Sequence, residues 1–491
     1  MSKVDRALRR AMPIHAASPP SLNIERRSAR STFKALGASV GLSVLFLIVY
    51  GWCNWISAQR HDVGTLYFEW ERFIPFVPLM IVPYMSIDLF FVAAPFLCRT
   101  ERELATLSKR ILAAIVLAGI CFLLFPLRFA FERPHASGWL GVVFDWFRGM
   151  DRPYNLLPSL HITFRTILAQ HYARHTRGVW RSASNVWFIL VGLSTLLTYQ
   201  HHFLDVVAGF ALGVGCIYFI REPAPKLSVI ENRRVGFYYA VAAVIAGGLA
   251  VWLWPWSVLL LWPALSLGIV ACAYFGAGPA IFCKTDGRLH WSAWLVLAPC
   301  LLGQHLSLAY YRRQSQPWNK VTPAVWIGQL LNYREAAAAG RLGVTAVLDL
   351  TAEFSEPKPF RALIYRNIPI LDLTAPSIEQ LREMALFIDD ESRNGIVYIH
   401  CKIGYSRTAA AAAAYLLSSG KTESVSQAIA FLRKVRPAIV VRPEIVAALS
   451  EFANAIAPAV TPSEAEPFSR TFLDFARNDK RGDRSSEERS W

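Results

Sequence analysis

The stretch GIVYIHCKIGYSRTAAAAAAYLL, residues 395–417, decides how the last third of this chain folds. Ile396, Val397, Tyr398 and Ile399 form an uncharged β-branched and aromatic run, the pattern of a strand covered on both faces. The alanines from 409 to 414 have the highest helix propensity available. A turn read as nine residues joins the two and places Cys401 at a helix N-terminus. Consecutive backbone N–H groups there point into one concavity, and with the helix dipole they bind a dianionic phosphate. The same field lowers the thiol pKa and makes Cys401 a nucleophilic thiolate. Arg407 supplies a bidentate fork to two phosphoryl oxygens, which a lysine does not copy. Thr408 can donate to the sulfur when it becomes a leaving group.

Outward from this stretch, VTAVLDL (344–350) and RNIPILDL (366–373) read as further strands, separated by helix-compatible segments such as 378–390 and 408–419. That alternation predicts an α/β domain with a mainly parallel central sheet over 324–460. A linker over 311–323 precedes it, and a Glu-, Arg- and Ser-rich tail over 461–491 is expected to be disordered. The chemistry asks for a carboxylic acid on a loop that can reach the phosphate. Asp372, at the end of a strand, is the candidate; Asp349, the rival, is expected to cap or turn the chain.

HCKIGYSRT resembles the HCxxGxxR[ST] motif of cysteine-dependent dual-specificity and tyrosine phosphatases. The resemblance extends over about 324–455 through VWIGQLLNYREA (325–336), GVTAVLDLTAE (343–353) and RKVRPAIVVRPE (433–444). It implies a phosphocysteine on Cys401 that water then hydrolyses. Asp372 is the implied general acid, at the family's acid-loop spacing. The loop residues Lys402, Ile403, Gly404, Tyr405, Ser406 and Thr408 hold the phosphate beside Arg407. Neither a metal nor a cofactor is implied.

The remainder has a different composition. Over all 491 residues 54% are hydrophobic and 18% charged, and mean hydropathy is +0.32, which excludes a wholly soluble enzyme. The net charge of +16 is read as the Lys/Arg excess of cytoplasmic loops and not as a nucleic-acid footprint. Residues 1–34 are a basic tail without apolar period. Residues 35–310 form a polytopic membrane domain with apolar runs at 35–59, 73–98, 111–131, 159–173, 184–200, 203–220, 236–254, 257–275 and 291–310, hence eight or nine spans. Arg99, Arg102, Lys109 and Arg110, then Arg174, Arg177 and Arg181, then Arg221, Lys226, Arg233 and Arg234 mark inside loops. Segments 60–72, 132–158 and 200–202 are therefore outside. The seven cysteines other than Cys401 lie in or beside apolar runs and read as small hydrophobes.

Two outside motifs, YNLLPSLH (154–161) and YQHHFLDVVAG (199–209), are expected to meet. His201 and Asp205, four apart on one helical face, form a nucleophile with its orienting carboxylate. His202 is a reserve. His161 would protonate the leaving alkoxide, and Ser159 with its helix N-terminus would cradle the phosphate. This resembles the type 2 phosphatidic acid phosphatase superfamily. Leu160 replaces that family's glycine, Ser194 and Thr195 stand in place of Ser-Arg, and Pro126 occupies the lysine position ahead of Arg133 and Pro134. PSLH without the arginine is closer to the lipid phosphotransferase branch that includes inositol phosphorylceramide synthases. Arg128, Arg133, Arg152 and Arg165 are candidates for the missing cation, and Asp88 for a further site or bundle carboxylate.

The expected protein is thus a multi-span α-helical membrane domain followed by an α/β cysteine-dependent phosphatase domain. Its expected function is bifunctional phosphomonoester hydrolysis, with a phosphotyrosine or phosphoserine protein or a phosphoinositide at Cys401 and a lipid phosphate at the histidines. The alternatives are a phospholipid or sphingolipid headgroup transferase with an accessory phosphatase, and a non-catalytic anchor that recruits the phosphatase to lipid. Partners are phosphorylated substrates and membrane lipids, with no nucleic acid. The expected location is an inner membrane, with a cytoplasmic N-terminus and the histidine site facing the periplasm. The segment 291–310, interrupted by Pro299, Gln304 and His305, is expected to re-enter rather than cross, which leaves the phosphatase cytoplasmic.

Overall fold

The computed structural model describes residues 29–150, 153–222, 230–253 and 256–456. Most of the expected N-terminal tail, the C-terminal tail, Arg152 and Lys226 lie outside the described residues. The helical half comprises α1 (Ala29–Ser57), α2 (Ile81–Ala93), α3 (Glu101–Leu124), α4 (Gly138–Met150), α5 (Leu160–His175), α6 (Gly178–Leu197), α7 (Phe203–Phe219), α8 (Arg233–Trp252) and α9 (Leu261–Cys272). A small antiparallel hairpin, β1 (Lys284–Thr285) and β2 (Arg288–Leu289), then leads into α10 (Trp291–Val296) and α11 (Ala298–Tyr311).

Five stretches are long and apolar enough to cross a membrane: Ser31–Ser57, Pro78–Leu97, Glu101–Leu124, Arg233–Trp252 and Ser257–Ala277. This is fewer than the eight or nine runs read from the sequence, and α5 shows the reason. At 16 residues it carries His161, Thr163, Arg165, Thr166, Gln170 and His171, and it is buried by its neighbours on most faces, so it never has to meet lipid. The outer helices instead turn Leu47, Val244, Trp252 and Leu259 to the surface, each more than 55% exposed. Two boundaries also shift. Arg102, Lys109 and Arg110, expected in a loop, lie on α3, and the expected outer loop 132–158 contains α4.

The segment 291–310 does not run across the bundle. His290, just before α10, bonds Gln170 near the C-terminal end of α5 (2.9 Å), and Trp262 at the far end of α9 donates to the Leu295 carbonyl (3.0 Å). The chain turns at Leu297 and α11 returns, so that Gln304 and Ser307 reach the α/β half.

That half has β3 (Trp318–Thr322), β4 (Val325–Gly328), α12 (Tyr333–Arg341), β5 (Val344–Thr351), β6 (Ile364–Ile370), α13 (Ile378–Ser392), β7 (Ile396–His400), α14 (Arg407–Ser418), α15 (Val425–Val435) and α16 (Pro443–Ile456). The sheet order is β3-β4-β7-β5-β6; β3 is antiparallel to β4 and the other pairings are parallel. β3 lies within 311–323, so the expected linker is in part an edge strand. Alternation along the strands sorts the core. Leu348, Leu350, Val397 and Ile399 face α13 to α16, while Val347 and Tyr398 face α12 and a single turn at Lys358–Arg361. The alanines 409–414 are all buried, and their small side chains let α14 sit centrally against the sheet.

The halves share a core. Ala352 and Leu371 pack with Val214, Tyr218, Tyr274 and Ile281 of the bundle, and Leu308 of α11 packs with Leu330 and Phe354.

Candidate active site

The strand order brings the C-terminal ends of β4, β7 and β5 side by side, with His400 paired to Gly328 on one flank and Asp349 on the other. Cys401 follows directly. The loop is six residues, 401–406, and not nine; Ser406 is the N-cap and Arg407 already begins α14. The helix therefore starts earlier than its alanine run. Gly404 donates its N–H to Cys401 Sγ at 3.3 Å. It adopts φ +77°, and a Cβ there would stand 2.4 Å from the Gly328 carbonyl oxygen, so only glycine fits between the loop and β4.

Burial alone would raise the Cys401 thiol; the Arg407 charge and Thr408 outweigh it and hold the thiol below its ordinary value. Arg407 is fully buried. Its Nη1 donates to the Ile370 carbonyl (2.8 Å) and to Glu353 Oε2 (3.2 Å), and its Nη2 to Glu353 Oε1 (2.8 Å), with Asp372 Oδ1 at 3.4 Å. Its Nε–H has no hydrogen-bond partner among the described residues. Asp372, about one-third exposed, thus stands at the edge of the phosphate site, whereas Asp349 is fully buried.

The loop side chains divide by direction. Lys402 turns away from Cys401 toward α11, where its Nζ donates to Gln304 Oε1 (2.7 Å) and Ser307 Oγ (2.9 Å). Ile403 packs against the Leu308–Leu330–Phe354 cluster, and its carbonyl accepts from Arg436 Nη2 (2.9 Å). Tyr405 and Ser406 are half-buried; Thr408 is buried beside the thiol.

Sequence reasoning missed Glu353, whose only signal was an acid just past the β5 strand. It also missed the partners supplied by the helical half. Lys284 of β1 inserts its ammonium beneath the site and donates to Asp349 Oδ2, the Thr351 carbonyl (3.0 Å) and Thr351 Oγ1 (3.0 Å). Asp349 also accepts from Tyr365 (2.6 Å), and His400 Nε2 lies 3.1 Å from Glu356. Burial would push the His400 imidazole down, but Glu356 and Asp349 raise it to about 9. Burial would raise Asp349, but Lys284 and His400 hold it at about 2. Asp349, Glu356 and His400 have the donor types of a metal site, as do Glu103, His171 and His175. In the first group Lys284 and the imidazole already balance the carboxylates.

In the bundle, His161 and His201 line one cavity of about 350 Å³ with Tyr84, Asp88 and Asn155. Beside it α5 and α7 approach closely. A Cβ on Gly209 would stand 2.3 Å from the Ser159 carbonyl oxygen, and Thr163 Oγ1 instead donates to the Gly209 carbonyl (3.0 Å). His201 Nδ1 lies 3.6 Å from Asp205 Oδ2.

Several assigned roles do not match this geometry. His202 is locked, with Nδ1 donating to Glu71 (2.9 Å) and Nε2 accepting the Ala130 N–H (3.1 Å), so it is no reserve nucleophile. His161 stacks on Tyr84 with Nε2 bonded to the Tyr84 carbonyl (2.8 Å), which ties up one nitrogen of the expected proton donor. Ser159 is a buried N-cap accepting the Ile162 N–H (3.4 Å) and faces its own helix. Arg165 donates Nε to the Phe188 carbonyl (2.7 Å) on α6, and Arg133 lies over the Phe129 ring; neither lines the cavity. Among the described residues the cavity has no cationic lining.

The two sites occupy opposite ends of the bundle. His161 is in the first turn of α5; Gln170, nine residues and about 14 Å further along at ~1.5 Å per residue, meets His290 beside the hairpin that grips Asp349.

Residues 325–455 match the family model of the dual specificity phosphatase catalytic domain. The mouse protein named dual specificity protein phosphatase 2 is 29% identical over 123 residues, 24% of this chain and 38% of that protein. The human phosphatidylglycerophosphatase and protein-tyrosine phosphatase 1 is 33% identical over 107 residues, 21% of this chain and 53% of that protein. The chain therefore spans well under two-thirds of the length of these curated relatives. The crystal structure of Tk-PTP in the active form aligns with 28% of this chain and 97% of its own at 28% identity, with a TM-score of 0.27. The C-terminal domain is thus of the dual-specificity phosphatase type, a phosphoric monoester hydrolase domain.

Proposed function

We propose that this protein is an integral-membrane phosphomonoesterase whose reaction runs through Cys401. The observation that carries this reading is the placement of Cys401 Sγ against the Gly404 N–H at the start of α14, with the Arg407 charge holding the thiol low and Asp372 3.4 Å from Arg407. The Cys401 thiolate attacks phosphorus and the P–O bond to the substrate breaks, while Asp372 gives its proton to the departing oxygen. Water, giving its proton to Asp372, then cleaves the S–P bond and releases phosphate and the thiolate. Cys401→Ser in the full-length chain should abolish phenyl phosphate hydrolysis; retained turnover would sink the phosphocysteine route.

The relatives' names join protein and lipid phosphatases, so both substrate classes stand open on similarity alone. For the helical half, the clustering of His161, His201 and Asp205 supports kinship with type 2 phosphatidic acid phosphatases. Its cavity has Asp88 and no described cation, a poor setting for a phosphate dianion. This favours the anchor alternative over lipid phosphate hydrolysis or headgroup transfer there. Arg99, Arg110, Arg174 and Arg221 belong to the end of the bundle where the phosphatase docks, and by the positive-inside rule this supports a cytoplasmic phosphatase domain in an inner membrane.

A further inference from the structure

A cavity of about 380 Å³ lies between the two halves at the mouth of the Cys401 site. Its polar end is formed by Asp372 and Lys402, with Gln304 and Ser307 of α11 holding the lysine. The rest of the lining is mostly apolar, with Pro263 and Leu267 of α9, Pro299 and Cys300 of α11 and the Tyr239 ring of α8. The Tyr274 hydroxyl donates to the Asp372 carbonyl oxygen at 2.9 Å. Pro263 and Leu267, which also line the cavity, lie with Tyr274 in the Ser257–Ala277 stretch, so the cavity reaches from Asp372 to a segment apolar enough to cross a membrane.

A phosphorylated peptide does not suit this shape. Along Pro263, Leu267 and Pro299 its backbone N–H and C=O groups would find no partner, a cost that water does not relieve inside an apolar layer. A hydrocarbon chain needs no such partners. A phosphate dianion at the loop and a hydrocarbon along α9 and α11 match the two parts of the cavity lining in charge and polarity.

We propose that this cavity binds the organic part of the substrate, and that Cys401 acts on a lipid phosphomonoester presented from the bilayer. The proposal rests on Cys401 being the phosphomonoesterase nucleophile, as proposed above. Gly303 provides the means of testing it, because it lines the cavity and a Cβ there meets nothing within 4 Å, so a larger side chain can be placed at the cavity wall.

The experiment uses the full chain reconstituted in phosphatidylcholine vesicles and measures kcat/KM for phosphatidate in those vesicles, for phenyl phosphate and for a phosphotyrosine peptide. Phosphatidate should exceed the peptide, and its turnover should be lost in Cys401→Ser. Gly303→Phe should lower the ratio of phosphatidate to phenyl phosphate turnover by at least about tenfold, the scale of a hydrophobic-pocket discrimination. The unmutated chain already decides between lipid and peptide should the variant fail to fold. A preference for the peptide, an unmoved ratio in folded Gly303→Phe, or phosphatidate turnover that survives Cys401→Ser would each overturn the proposal. Phenyl phosphate turnover that survives Cys401→Ser would instead strike the phosphocysteine reading beneath it.

Discussion

Arg407 is engaged before any substrate arrives, with Glu353 and the Leu350 and Ile370 carbonyls fixing its plane. A guanidinium so held loses little side-chain freedom when phosphate binds. Asp372 is the one carboxylate near it that is partly open to solvent, and its backbone carbonyl is pinned by Tyr274 from the helical half. Asp372→Asn should therefore lower kcat on phenyl phosphate by roughly 10²–10⁴, the range for a lost general acid. A full-rate Asp372→Asn enzyme would pass the role to another acid.

At the level of elements, α10 and α11 form a hairpin whose two ends lie at the phosphatase end of the bundle. Pro299 in the first turn of α11 and the bond from Trp262 to Leu295 mark its turning point. Such a hairpin has the shape of a re-entrant segment, whose irregular turn is tolerated in an apolar layer where protein, here α9, covers it. With the cytoplasmic N-terminus expected from the sequence, such a re-entrant segment would leave the α/β half on the cytoplasmic side, as proposed above. An alkaline phosphatase reporter fused after Pro323 should be inactive, and a green fluorescent reporter at the same point should fluoresce; the opposite pattern would place the cysteine site outside.

Across the whole molecule the halves are joined by charge as well as by packing. Lys284 is 3% exposed and its partner Asp349 is fully buried. Breaking such a pair strands a carboxylate without its cation, so Lys284→Met should destabilise the α/β half by about 3–5 kcal/mol. The urea midpoint for loss of phenyl phosphate hydrolysis in detergent should fall accordingly, and an unchanged midpoint would show that the pair carries no weight. The pH dependence follows from signs. His400 is raised from 6.5 to about 9, so its stabilisation is complete below 6.5 and is lost as pH rises through 9. Asp349 is lowered from 3.8 to about 2, so its share is complete above 3.8 and is lost as pH falls through 2.

The phosphatase loop was legible because local rules dictate it: a doubly covered strand, a tight loop needing glycine at 404, and an alanine helix are all written in consecutive residues. The parallel sheet followed from alternation of strands and helices, although the β3 edge strand hid in a segment without apolar period. The sequence also placed His161, His201 and Asp205 together, since an i,i+4 pair and a shared end of two helices need no tertiary detail. It could not show that His202 would be taken by Glu71, or that Arg165 would turn to Phe188, because those choices depend on which helix faces which. Nor could it show the contacts between halves, where Lys284 reaches Asp349 across 65 residues and Gln304 reaches Lys402 across 98. Sequence periodicity reports which face of an element is buried; only the packed molecule decides what lies against it, and in this protein that decides what the Cys401 site opens onto.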